Sequence, residues 1–348
     1  MPVILDSRDL IKKIDKSGML KLIENFDSQC IEADSISIGD IPARDYNCIV
    51  FAGMGGSAIA GDILKQMFEQ HCSLPFIVHR NYGLPDYVND RSLVFAVSYS
   101  GDTEETLSAF REAMKRNALV VSLSSGGQLE KLSNKYGVLY IKIPAGQPPR
   151  CSLGYIFFPL ANLLRKLGYV KQVNVEKIAE IAKNCANVYG VESRENKAKE
   201  FARIMRGKIV VLYSGDILLP AATRWKTQMA ENSKQMVAVN VFPEMNHNEI
   251  MAWNFPLNWI SNSVVFFLRD TRDNERVKLR MDLTGKILKS KSTPVYEVES
   301  EGTQVVERIF SLILLGDWIS FYLALLNGVD PTEIKEISYL KRELASSS

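Results

Sequence analysis

Short runs of β-branched and aromatic residues, each followed by a helix-like stretch, recur along this chain in two sets. The first comprises Cys48–Ala52, Phe76–His79, Leu93–Ser98, Leu119–Ser122 and Leu139–Ile143. The second comprises Ile209–Tyr213, Met236–Val239, Val264–Leu268 and Val295–Val298. Regular alternation of this kind has few solutions: βαβ units that bury a parallel sheet between helices. Helical connections follow the first and third runs, at Ser57–Gln70 and Thr103–Arg116. The expected fold is therefore α/β, with two domains that are each a parallel sheet flanked by helices. A Gly/Pro-rich turn at Ala145–Pro149 is followed by a helical pattern to about Ala186, and the charged stretch Val191–Arg206 reads as a helical connector. These signals divide the chain into a helical lead-in (1–40), a first domain (41–155), a helical linker (156–190) and a second domain with C-terminal helices (191–348). SYSGD at 98–102 and YSGD at 213–216, both leading into helices, suggest two copies of one module.

Lys and Arg total 42 against 40 Asp and Glu, so nothing points to nucleic acid or a membrane surface. An anionic ligand would have to be held by local groups instead of a global field. The five cysteines (Cys30, Cys48, Cys72, Cys151 and Cys185) form no CxxC pair, which disfavours a disulfide framework or a zinc site and suits a reducing cytosol. The start, MPVILDSRDLIKKID, lacks the basic and apolar regions of a signal peptide. The most apolar stretch, Ile309–Leu326, carries Gly316 and Asp317 at its centre, which predicts a buried helix at a domain or subunit contact instead of a membrane span.

The first run leads straight into GMGGSAIAGD (53–62). Glycines here let the backbone turn and approach a ligand, and the helix that follows offers free N–H groups and a positive dipole end. Gly53, Gly55 and Ala58 also fit a dinucleotide fingerprint, but the second run ends His79-Arg80-Asn81, without the acid that would bind a ribose. A second loop, Ser98–Thr106, packs Ser98, Ser100 and Thr103 into six residues ahead of a helix. Small hydroxyls beside helix N–H groups suit a phosphate monoester. Helix capping by Ser100 or Thr103, with Glu104 and Glu105 in the first turn, would account for one of these hydroxyls but not for all three.

GMGGSAIAGD followed by SYSGDTEET resembles the sugar isomerase (SIS) domain family, and within it the archaeal and bacterial bifunctional phosphoglucose/phosphomannose isomerases. The resemblance continues, in order, through PPRCSLGY (148–155), QMAENSK (228–234), MNHNEI (245–250) and YLK (339–341). It implies two SIS domains and interconversion of fructose 6-phosphate with glucose 6-phosphate and mannose 6-phosphate through a cis-enediol, with neither cofactor nor metal. By match it implicates Gly55, Gly56, Ser57, Ser98, Ser100 and Thr103 in holding the phosphate. Asp102 departs from the family pattern, which more often has Asn, and a carboxylate there could weaken phosphate binding unless it points to solvent. The resemblance makes Glu231 the base, His247 the ring opener, Arg150 the group that stabilises the enediolate, and Lys341 a lysine near the sugar ring. In relatives this histidine comes from a neighbouring subunit, which implies a homodimer; the cysteine usage makes the expected location cytoplasmic. Thr332 could leave room for a water near C2.

Elementary chemistry agrees with these roles. A carbonyl moves between C1 and C2 when a carboxylate takes one carbon-bound proton and returns it to the neighbouring carbon. Glu231 lies in WKTQMAENS (225–233), a helical stretch where a solvated glutamate is the default reading. An imidazole can move a proton between O1 and O5 to open the ring. His247 lies in a polar segment after a strand, whereas His71 and His79 read as structural or exposed. Glu244, His247 and Glu249 lack zinc-like spacing. Two other readings stay open at this level. A non-catalytic sugar-phosphate sensor would be expected to carry a basic helix-turn-helix, and an amino-sugar isomerase tied to amidotransfer would need a glutaminase domain.

Overall fold

A computed structural model describes residues 2–42 and 44–346. Two compact units emerge, each discontinuous in sequence: residues 25–183 with 301–310, and residues 1–24, 184–300 and 311–348.

The first unit holds strands β1 Cys48–Ala52, β2 Phe76–His79, β3 Ser92–Val97, β4 Leu119–Ser124 and β5 Leu139–Lys142. They form an all-parallel sheet in the order β2-β1-β3-β4-β5. β1 and β3 are buried along their whole length, which is why their sequences are unbroken apolar runs without polar alternation. Around the sheet lie α1 Phe26–Asp34, α2 Gly55–Phe68, α3 Glu104–Lys115, α4 Gly127–Tyr136 and α5 Leu153–Lys166. Leu107, Phe110 and Ala113 of α3 join Val50, Val94 and Val120 of the sheet in one core. The chain leaves β1 toward β2, then returns past β1 to β3. Connections therefore diverge between the carboxyl ends of β1 and β3, the usual ligand position in open parallel sheets.

The second unit holds β6 Ile209–Ser214, β7 Val237–Val241, β8 Ser263–Arg269 and β9 Val295–Glu299, parallel in the order β7-β6-β8-β9. That order repeats the first four strands of the other sheet, so β6 is the counterpart of β1 and β8 of β3. Its helices include α6 Lys197–Met205, α7 Leu219–Ser233, α8 Glu275–Ser290, residues 311–327 of α9 Val305–Asn327, and α10 Lys335–Ser346. The α9 helix is apolar and long enough to cross a membrane, yet 89% of its most apolar stretch is buried inside the protein. Trp225 of α7, fully buried, donates its indole N–H to Leu312 O at 2.6 Å. Removing an indole from water contributes roughly 4–6 kcal/mol.

The charged stretch read as a connector is anchored where it begins α6. Lys199 is buried, and its ammonium reaches Asp6 Oδ1 at 2.7 Å and Val191 O at 2.6 Å. A buried lysine needs such partners.

Candidate active site

The two motif loops stand at the carboxyl ends of β1 and β3, one on each side of the switch point. After β1 the chain enters α2 through Met54, whose position as N-cap supplies no side-chain hydrogen bond to the helix. Ser57 is buried in the first turn, and its N–H donates to Met54 O at 3.0 Å. After β3, Thr103 is the N-cap of α3, yet its side chain makes no capping bond. The Thr103 hydroxyl instead lies 2.8 Å from that of Ser98, which is itself 3.5 Å from the hydroxyl of Ser100. The capping reading of these hydroxyls therefore fails in its simple form: they face one another, and both helices begin without a side-chain cap. Backbone N–H groups point to the same loop, with Gly101 N donating to Ser98 Oγ at 3.0 Å and Asp102 N to Ser100 Oγ at 3.3 Å.

Asp102 is directed elsewhere. Its Oδ1 accepts from Gln128 N at 2.9 Å, at the start of α4. Asp102 is exposed, and from the surface its carboxylate meets the positive end of a neighbouring helix.

Arg150 is buried, on a 3-10 turn over Pro149–Cys151. Gly56 brings α2 against this turn: a Cβ at residue 56 would lie 3.0 Å from Arg150 Cα. Glycine is required there by close approach, since any side chain would push the arginine segment away from the loop. A residue that the motifs do not mark secures the other side. Gln29 of α1, also buried, donates to Cys151 O at 2.8 Å and accepts from Gly154 N at 2.8 Å. Nothing in the local sequence marks Gln29, because its partners lie more than 120 residues away. At the end of β2, where a dinucleotide fold wants an acid, stands Arg80, ion-paired with Asp62 of α2.

The second unit carries the other candidates. Glu231 is half-buried near the end of α7. Three residues spaced four apart on that helix, Arg224, Gln228 and Asn232, form a polar stripe facing α9. Arg224 makes a two-pronged ion pair with Asp317 at 3.0 and 2.7 Å, and Gln228 donates to the same carboxylate at 2.9 Å. Asn232 donates to Ser320 Oγ at 2.9 Å. Breaking a buried pair of this kind typically costs about 3–5 kcal/mol, so the stripe fixes α7 firmly. Asp317, the acid that spoke against a membrane span, is the hub of this lock.

His247 is exposed, at the end of a 3-10 turn over Glu244–His247 that follows β7. The turn is pinned by its neighbours: Asn246 donates to Thr284 Oγ1 at 2.9 Å and Asn248 to Glu244 Oε1 at 2.7 Å. Glu249 accepts from Tyr213 and Asn240 at 2.5 Å each. Burial, and after it the bond to Glu249, push the Tyr213 phenol above its ordinary pKa. Lys341 is exposed on α10. Thr332 donates its backbone N–H to Asp330 Oδ1 at 2.8 Å. The structure thus gathers Ser57, Ser98, Ser100, Thr103 and Arg150 in one unit, and carries Glu231, His247 and Lys341 on three separate elements of the other.

Comparison with known proteins accords with this arrangement. The SIS domain family matches residues 44–142, and the bacterial phospho-glucose isomerase C-terminal SIS domain matches residues 194–344. A bifunctional phosphoglucose/phosphomannose isomerase of Caldicellulosiruptor bescii is 40% identical over 312 residues, spanning 88% of this chain and 92% of the relative. Its namesake from Aquifex aeolicus is 37% identical over 326 residues, spanning 93% of this chain and 97% of the relative. The fold matches the crystal structure of a glucose-6-phosphate isomerase like protein from Thermus thermophilus, with a TM-score of 0.62 at 19% identity, over 95% of this chain and 98% of that one.

Proposed function

The chain belongs to the bifunctional phosphoglucose/phosphomannose isomerase family, and from that premise we propose how its residues divide the work. The enzyme is an aldose–ketose isomerase that interconverts fructose 6-phosphate with glucose 6-phosphate and mannose 6-phosphate. The phosphate rests on the backbone at Gly55 and Gly56 and on the hydroxyls of Ser57, Ser98, Ser100 and Thr103. His247 opens the ring by moving a proton between O1 and O5. Glu231 takes the proton from C2 of an aldose and returns it to C1, while the O2 proton is lost and O1 gains one, so that the carbonyl shifts by one carbon. Arg150 offsets the charge of the enediolate, and Lys341 lies near the sugar ring and the base. Loss of the C2 proton from either epimer allows one site to serve both aldoses, with Thr332 leaving room for a water near C2.

The observation that carries this reading is the cluster of Ser98, Ser100 and Thr103 hydroxyls at the uncapped start of α3. An oxyanion there would meet short donors and the positive end of a helix together. The functional division we adopt is a phosphate-holding SIS domain (41–155) and a second one (191–348) that supplies base and imidazole.

The same reading makes the enzyme a homodimer in which His247 completes the neighbouring site. His247 is exposed and is followed by Met251, Phe255, Leu257 and Trp259, all with large exposed side chains. Apolar groups clustered at the surface favour a subunit contact. All five cysteines are free, which supports a cytoplasmic location.

The test is an assay of enzyme dialysed against EDTA, following fructose 6-phosphate to both aldoses, with Glu231→Gln in parallel. Both products should form, and the variant should lose about 10²–10⁴-fold in kcat. Glucose 6-phosphate alone would remove the mannose half. Binding of fructose 6-phosphate without turnover would turn the reading to a non-catalytic sensor.

A further inference from the structure

The end of α7 has an unusual residue. Helices that close with a left-handed residue normally use glycine there, because a Cβ is disfavoured at positive φ. In this chain the position is Lys234, with φ of 54° and ψ of 33°. The N–H groups of Lys234 and Gln235 both donate to Met229 O, five and six residues back, a wider closure than the usual helix end. Among the described residues, the other non-glycine positive-φ positions are Asn117 and Ser292, whose short polar side chains tolerate the conformation better. A long aliphatic side chain gains nothing from this backbone, so its retention calls for a role at its far end.

That far end is the Lys234 ammonium, which donates to Glu231 O at 3.0 Å, to Asn232 O at 3.3 Å and to Asp330 O at 2.7 Å. The first two are carbonyls of the last turn of α7, which have no partner within the helix. The third belongs to the segment after α9. Asn327 strengthens the same junction, donating to Ser233 O at 2.9 Å. Three consecutive carbonyls, from Glu231 to Ser233, are thus held from outside the helix, beginning with that of the proposed base itself.

We propose that Lys234 is a positioning residue for the isomerisation: it staples the last turn of α7 to the Asp330 segment and so fixes the backbone from which the Glu231 carboxylate projects. This rests on the reading of Glu231 as the base. A helix end fixed in this way lowers the spread of carboxylate positions relative to the carbon-bound proton. Misplacement of a reacting group by an ångström or so can cost up to about 10²-fold in rate.

The staple can be removed without straining the fold, because glycine suits a left-handed position better than lysine. Lys234→Gly, Lys234→Arg and Glu231→Gln would be compared with the parent enzyme by steady-state kinetics on fructose 6-phosphate and by thermal unfolding. The expected result for Lys234→Gly is a Tm no lower than the parent's and an almost unchanged KM. Its kcat should fall by about 10–100-fold, with Lys234→Arg recovering most of the loss. A structural role alone would move Tm and not split kcat from KM. The proposal is overturned if Lys234→Gly keeps full kcat, or if arginine restores no more activity than glycine. A fully active Glu231→Gln would instead overturn the assignment of the base, so the two failures can be told apart.

Discussion

The loops after β1 and β6 occupy the same position in two sheets of the same strand order, but they meet opposite chemistry. After β1, Gly56 lies against the backbone of Arg150. After β6, a Cβ at Gly215 would fall 2.2 Å from the Asp273 carboxylate. Asp273 is buried beside Asp270, whose N–H it accepts at 3.2 Å, and Ser300 donates to Asp270 at 2.9 Å. One sheet ends in a cationic segment and a group of hydroxyls, the other in buried acids. The repeated letters YSGD mislead here, since 99–102 lie beyond the end of β3 whereas 213–216 begin with the last two residues of β6, the counterpart of β1. Strand order carries the likeness between the sheets, and the loops carry the difference.

The contrast breaks most visibly at Arg150. Arg150→Met keeps much of the buried aliphatic volume and removes the charge, and kcat/KM should fall by about 10²–10³-fold. A smaller loss would mean that the charge at this sheet end has no part in the chemistry. Ser98→Ala comes next. It removes a hydroxyl at the centre of the cluster, and KM for fructose 6-phosphate should rise about 10–100-fold, as expected for a bond to a charged group, with kcat little changed. Binding of inorganic phosphate, read by calorimetry, should weaken in parallel.

Much of this was legible in the sequence, and the reason is physical. The inner strands, buried on both faces, are continuous apolar runs, whereas the half-exposed edge strands β2, β5, β7 and β9 were marked by β-branched residues at regular spacing; all could be read, with ends displaced by a residue or two. The hydroxyl loop could be read because its three members are near neighbours in the chain. What could not be read are the polar groups whose partners are remote. Arg224 and Asp317 are 93 residues apart, and Lys199 and Asp6 are 193 apart. A charged residue looks solvated until its partner is known, which is why 191–206 read as a connector. Lys234 was hidden for another reason: positive φ at a residue other than glycine or asparagine leaves no mark in composition.

The acidic end of the second sheet predicts a pH effect unrelated to catalysis. Burial raises the Asp273 carboxyl to about 6, against the opposing pull of the Asp270 N–H bond. A carboxyl with a raised folded-state pKa favours the fold when protonated, so its contribution is greatest below pH 4 and is lost as pH rises toward 6. Asp273→Asn removes that loss. It should stabilise the protein at pH 7 by roughly 2 kcal/mol and flatten Tm between pH 4 and 6, with kinetics unchanged. An asparagine variant less stable at pH 7 would show that the charge has a compensating partner, and the sheet end would then be less hostile to anions.

The smallest expected effect tests the comparison at its most literal point. Ser214, the last residue of β6, is the YSGD serine of the second unit, fully buried, and its hydroxyl has no hydrogen-bond partner among the described residues. Burying an unpaired hydroxyl is unfavourable, so Ser214→Ala should stabilise by about 0.5–1 kcal/mol. In a chain of this size that is a rise in Tm of roughly 1 °C. Neither KM nor kcat should move, whereas removing the matching hydroxyl of the first unit, in Ser100→Ala, should raise KM for fructose 6-phosphate. The pair therefore separates two accounts of the repeated motif. If Ser214→Ala raised KM for fructose 6-phosphate, the second loop would share in holding the substrate, and its buried acids would have to be read as part of the site. If it only raises Tm, Ser214 has no part in holding the substrate, and the four letters serve packing alone in the second unit.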